Sequence, residues 1–88
     1  MTYRIHRSTQ PGATVFVLSG VLDRDLAARL ETLLASEAGV GIVLDLKDVT
    51  LVDRAAVRFL AEVEATGTGI VNCPESVRIW ITAENEGQ

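Results

Sequence analysis

The sequence predicts a small α/β domain, with a mixed four-stranded sheet and about three helices packed mainly on one of its faces. Three observations predict it. Short β-branched or wholly aliphatic runs alternate with longer stretches whose apolar residues recur at helical spacing. Glycine, proline and capping aspartates fall at the joins between them. Finally, 88 residues that are 48% hydrophobic and 23% charged supply one core and leave no room for a second, so residues 1–88 are read as a single domain.

The elements follow in order. Residues 3–7 read as a short edge strand with His6 on its surface. Gln10-Pro11-Gly12 is a turn, because proline presets one turn dihedral and glycine accepts the other. Thr14-Val15-Phe16-Val17-Leu18 forms the returning strand, so the chain opens with a hairpin. Ser19-Gly20 ends that strand. Asp23 or Asp25 then caps a helix, since a carboxylate there accepts orphan N–H bonds and meets the positive end of the helix dipole. Leu26, Leu30, Leu33 and Leu34 make one apolar stripe of period 3.6. Gly39 and Gly41 stop the helix.

Ile42-Val43-Leu44-Asp45-Leu46 is almost continuously apolar, as suits a strand inside a covered sheet. Lys47-Asp48-Val49-Thr50 reads as a loop, after which Leu51-Val52 returns to the sheet edge. A second helix begins at Asp53, with Ala56, Val57, Leu60 and Ala61 towards the core and Phe59 and Val63 to one side. Thr66-Gly67-Thr68-Gly69 breaks it, and Ile70-Val71 is a brief strand. Asn72-Cys73-Pro74 opens a third helix, with Pro74 in its first turn, Val77, Trp80 and Ile81 as core positions, and a frayed polar tail at 84–88. The order β-β-α-β-α-β-α calls for parallel strands joined by right-handed crossovers behind an antiparallel hairpin.

Composition narrows the function classes. A net charge of −4 repels nucleic-acid backbones, and no aromatic residues alternate with arginine as a single-strand platform needs, so no nucleic-acid partner is expected. One cysteine, Cys73, and one histidine, His6, exclude an intrachain disulfide and the Cys-rich or His-pair metal motifs. Asp45, Asp48 and Asp53 are read as turn and capping residues, because no phosphate-cradling glycine loop accompanies them; Gly67-Thr68-Gly69 precedes a strand where a dinucleotide fingerprint follows one. A helix start would stabilise a Cys73 thiolate, yet no base pairs with it in any triad pattern, and a small buried or capping thiol is the plainer reading. No enzyme and no cofactor are therefore expected. No window approaches the roughly 20 apolar residues of a membrane span, and the N-terminus leads into no signal-peptide segment, so a cytoplasmic chain without membrane insertion is the expectation.

Three local patterns, in order, bring a family into view. Leu18-Ser19-Gly20-Val21-Leu22-Asp23 resembles the "L-x-G-x-L-D" that ends the second strand of STAS domains, which include bacterial anti-sigma-factor antagonists. Ile42 to Leu46, continued by Val49-Thr50-Leu51-Val52-Asp53, is similar to the family's "V-x-L-D-L-x-x-V-x-x-x-D-S-S-G". Val71 to Arg78 resembles its last strand and helix start. The resemblance spans about residues 14–82 and implies a STAS-like fold and a non-enzymatic protein-interaction module. It departs at one place: where the family carries a phosphorylatable serine after the aspartate, this chain has Arg54, followed by Ala55 and Ala56 in place of serine and glycine. An arginine has no hydroxyl, so serine phosphorylation at that position is absent on chemical grounds.

The resemblance places a partner-binding surface at the start of the second helix, with Asp53, Arg54, Val57 and Arg58, joined to the loop around Asp23 and Arg24. The bland readings stand beside it: Asp53 as a helix cap, worth about 1 kcal/mol, and Arg54 as a solvated side chain. Arg54 opposes the helix dipole at a cost of about 0.3–1 kcal/mol, which Asp53 beside it or Asp23 across the fold would offset. At the switch position it points to a constitutive contact with an acidic partner or an anion. The implied partner is an anti-sigma-factor or kinase-like regulator. An accessory subunit of a membrane transport system and a small-molecule or nucleotide binder are the alternatives. A homodimer through the edge strand, or through Phe59 and Val63, is left open.

Overall fold

The chain begins as a hairpin whose turn uses its two special residues as their chemistry requires. Strand β1 (Tyr3–Gln10) runs antiparallel to β2 (Ala13–Leu22), with Gln10 opposite Ala13 across Pro11-Gly12, and Gly12 takes φ 76°, a conformation open to glycine. From β2 the chain passes through α1 (Arg24–Ala35), β3 (Gly41–Val52), α2 (Arg54–Ala65), β4 (Gly69–Val71) and α3 (Glu75–Glu86). The computed structural model describes residues 3–37 and 41–86. The sheet order is β1-β2-β3-β4; β3 is parallel to both β2 and β4.

Burial alternates along the strands. Phe16, Leu18 and Leu22 of β2 and Leu44 and Leu46 of β3 join one buried cluster with Leu26 and Leu30 of α1, Val57, Leu60 and Ala61 of α2, and Val77 and Ile81 of α3. All three helices therefore cover the same face, as predicted. The opposite face carries the half-buried Val15, Val17 and Val43 with no helix above it.

Four expectations need correction, besides the end of β2, which runs on through Ser19-Gly20 to Leu22. Lys47 to Thr50 is no loop: β3 runs unbroken from Gly41 to Val52. Its polar side chains are exposed, which mimics a loop, but the backbone stays paired because register shifts between Val17 and Ser19 and between Gly20 and Val21 absorb the mismatch. Gly20, at φ 87°, supplies the flexible point. Secondly, α1 ends at Ala35 with Ser36 as its C-cap, and Gly41 is the first residue of β3; the expected stop at Gly39 lies outside the described residues. Thirdly, Pro74 stands one residue ahead of α3, its carbonyl accepting from the Arg78 N–H at 2.9 Å, and Glu84 to Glu86 are helical, while the remainder of the expected frayed tail is outside the described residues. Fourthly, Trp80 is not core. It is 51% exposed and Ile79 is 58% exposed, because α3 packs chiefly along α2 and so buries only the narrow i, i+4 pair Val77 and Ile81.

Candidate functional site

The two crossovers β2-α1 and β3-α2 leave the sheet side by side. Leu22 and Val52 are register partners, and the Asp53 N–H donates to the Leu22 carbonyl at 2.9 Å. Both helices therefore start at the same end of the sheet, from neighbouring parallel strands. Each is launched by an aspartate. Asp23 Oδ1 accepts from the Leu26 N–H at 2.9 Å, and Asp53 Oδ1 accepts from the Ala56 N–H at 2.9 Å. The choice between Asp23 and Asp25 as cap is thus settled for Asp23.

Asp25 has a different role, unforeseen from the sequence. Its Oδ2 accepts from the Tyr3 hydroxyl at 2.8 Å, tying β1 to the first turn of α1. That hydrogen bond holds the Tyr3 phenol above its ordinary value, with burial adding in the same direction. A second tie lies at the far end of the helix, where the Arg7 guanidinium pairs with the Glu37 carboxylate through both oxygens. The arginine's hydrogen bond holds the Glu37 carboxyl below its usual range.

Of the six residues expected on the partner surface, the geometry brings Asp23, Arg24, Asp53, Arg54 and Arg58 to one end of the helical layer. Arg24, Arg54 and Arg58 are exposed, and none makes an ion pair among the described residues. Val57 is the correction: at 3% exposure it belongs to the core, since position i+4 from the Asp53 cap faces the sheet. Arg54 and Arg58 form the crest of α2, between two shallow grooves. One, of about 300 Å³, separates α1 from α2 and is walled by Arg24, Glu31, Arg58, Phe59 and Glu62. The other, of about 350 Å³, lies between α2 and α3 and is lined by Arg54, Val57, Trp80, Ala83 and Glu84. Phe59 and Val63 are half-buried and pack against the core. Trp80 is the residue that sequence reasoning missed for this surface. Its i, i+3 spacing from Val77 marked it as core, and only the tilt of α3 against α2 shows otherwise.

The remaining candidates are placed as follows. Asp45 Oδ1 accepts from the Lys47 N–H at 3.0 Å and Oδ2 from the Asn72 side-chain amide at 3.3 Å; Asn72 itself has φ 53°, and this contact helps hold the turn into α3. Among the described residues no three His, Cys, Asp or Glu side chains converge. Cys73 is half-buried with Sγ 3.5 Å from the Pro74 carbonyl, and desolvation outweighs the nearby Arg78 in pushing its thiol above the ordinary value. A thiol so placed stays protonated and is a poor nucleophile. No described helix is long and apolar enough to cross a membrane.

No protein-family model and no curated protein matches the chain. Among solved structures it is similar to that of the anti-sigma-factor antagonist SpoIIAA in its unphosphorylated form. The TM-score is 0.59 at 18% sequence identity, over 94% of this chain and 84% of that one. The fold is STAS-like. At that identity the likeness concerns the path of the backbone. In this STAS-like frame Asp53 and Arg54 stand at the end of β3 and the start of α2, as the motif resemblance implied.

Proposed function

We propose that this chain is a non-enzymatic protein-interaction module of the anti-sigma-factor-antagonist type, whose partner surface is not switched by serine phosphorylation at the start of α2. The observation that carries the reading is Arg54. It sits in the first turn of α2, exposed, outside any ion pair among the described residues, and beside the exposed Trp80. A cation in the first turn of a helix is costly; the Asp53 cap beside it offsets part of that cost, and α2 has no further acidic residue in its first turn. An acidic group on a partner would relieve that cost. Arginine and tryptophan are also the side chains that most often carry interface energy. Asp53, Arg24, Arg58 and Asp23 complete the ledge, and an anti-sigma-factor or kinase-like regulator is the partner class that the SpoIIAA likeness favours. Cytoplasmic location follows from that role.

The test is an affinity pull-down from native lysate, read by mass spectrometry, with wild type beside Arg54→Glu and Trp80→Ala. Both substituted residues are exposed, so folding is expected to survive. Retention of one regulator or kinase-like protein by wild type alone supports the reading. Transport-complex subunits retained equally by all three would move the role to a transport accessory and away from this surface. In a parallel incubation with the recovered kinase and labelled ATP, no phosphate is expected on this chain at Arg54, Ala55 or Ala56.

A further inference from the structure

A second surface, separate from the helix starts, lies along β1. This strand is eight residues long, stands at the edge of the sheet and, among the described residues, pairs only with β2. Its ladder with β2 is regular from Tyr3 to Gln10, without a bulge, and it contains no proline. The other edge, β4, is only three residues long. A long, regular edge strand presents unpaired N–H and C=O groups that template another strand, and proteins usually blunt such edges by shortening, bulging or covering them. None of those devices is present on β1 among the described residues. The device it does carry is charge, which blocks pairing with a strand of like sign and leaves the edge open to one of opposite sign. Arg4 and His6 point to the open face of the sheet, while Arg7 points to the helix side, and a cleft of about 610 Å³ along the strand adds Arg29 of α1 to its walls, with Ile5 and Leu33 between them.

We propose that the outer edge of β1 docks an extended, acidic segment of a partner protein, which adds to the sheet as a fifth strand. Charge complementarity selects this occupant. Directly opposed charges of opposite sign stabilise a strand pair, and like charges destabilise it. A second copy of β1 would bring a second Arg4, rather than an acidic residue, to the edge, so self-pairing is disfavoured. Of the nearby charges, Glu37 and Arg7 neutralise each other as an ion pair. Asp25, which stays charged on accepting from the Tyr3 hydroxyl, lies at the start of α1 on the helix side. Arg4, on the open face, has no ion pair among the described residues. Asp48 also lines the cleft, but Arg4 pairs with Ser19 and Ser19 with Asp48. At about 4.8 Å per strand, Asp48 would lie three strands, roughly 14 Å, from an added one. That is beyond the screening length of about 8 Å in physiological salt. Ile5 and Leu33 offer apolar contact to alternate residues of the incoming segment, and the backbone supplies the remaining attraction.

The experiment titrates the ¹⁵N-labelled full chain at low ionic strength with capped eight-residue peptides, one alternating Thr and Glu, one alternating Thr and Lys. A third is the Thr/Glu peptide methylated on alternate backbone nitrogens, so that it cannot form a ladder. The expected result is saturable shifts confined to β1 and its flank, with slowed exchange of alternate β1 amides. The Glu peptide should bind about tenfold tighter than the Lys peptide. The methylated peptide should lose that binding, Arg4→Glu should remove the preference, and Arg54→Glu should leave it untouched. Shifts that fall elsewhere, equal binding of the two charges, or full binding by the methylated peptide would overturn the proposal. So would β1 shifts that grow with protein concentration alone, which would give the edge to a second copy.

Discussion

The starts of α1 and α2 are near-duplicates put to different use. Asp23-Arg24-Asp25-Leu26 and Asp53-Arg54-Ala55-Ala56 each place a capping aspartate, an exposed arginine and a buried residue in the same order, with the same 2.9 Å cap bond. They differ at the third position. Asp25 faces the α1 dipole and receives Tyr3, so that helix start is committed to the fold. Ala55 does neither, so the start of α2 has its Asp53 cap but no second carboxylate in the first turn. On the proposed reading, that difference leaves the start of α2 free for a partner.

The buried fourth positions offer the largest way to sharpen this contrast. Leu26 and Ala56 are each 1% exposed. Leu26→Ala should cost about 2–5 kcal/mol through the cavity it leaves, and Ala56→Leu about 1–3 kcal/mol through overpacking, both read by urea unfolding. The caps come next. Asp23→Ala and Asp53→Ala should each cost about 1 kcal/mol, or roughly 4–8 °C in Tm, with Asp53→Ala the larger because Asp25 still serves the first turn of α1. Equal losses would break the claimed asymmetry. Smaller still, Arg54→Ala should stabilise the free protein by about 0.3–1 kcal/mol in low salt while it weakens partner binding, and Arg24→Ala should change stability less, since Asp25 already offsets it.

The smallest effect is in pH. Glu37 is held below its ordinary 4.5, so its contribution is present above that value and fades as pH falls through the lowered one. Tyr3 is held above 10.0, so its contribution is full below pH 10.0 and is lost as pH rises through the higher value. Thermal melts across pH should show Glu37→Gln flattening the acid limb and Tyr3→Phe the alkaline limb, each leaving the start of α2 unaffected.

Much of this arrangement was legible in the residues. The Asp53 cap, the stripes of α1 and α2 and the element order depend on local patterns that tertiary packing reinforced. What was not legible depended on partners far along the chain. Lys47 to Thr50 looks like a loop until β2 supplies a ladder with two register shifts. Trp80 looks buried until the angle of α3 is known, whereas the spacing of Ala56, Val57, Leu60 and Ala61 already pointed Val57 to the core, and only the family resemblance put it on the surface. The ion pair of Arg7 with Glu37 joins residues 30 apart, and no spacing rule announces it.

The exposed position of Trp80 has one more consequence. It is the chain's single tryptophan, and it already stands half in water on a helix joined to the rest by the Arg78–Glu64 pair, the Val77 and Ile81 contacts and a three-residue ladder at β4. Its indole emission should change little when the core melts. Shielding of that ring by anything seated against Arg54 should shift the emission strongly to the blue. Trp80 emission is therefore expected to report occupancy of the groove between α2 and α3 more than unfolding of the core.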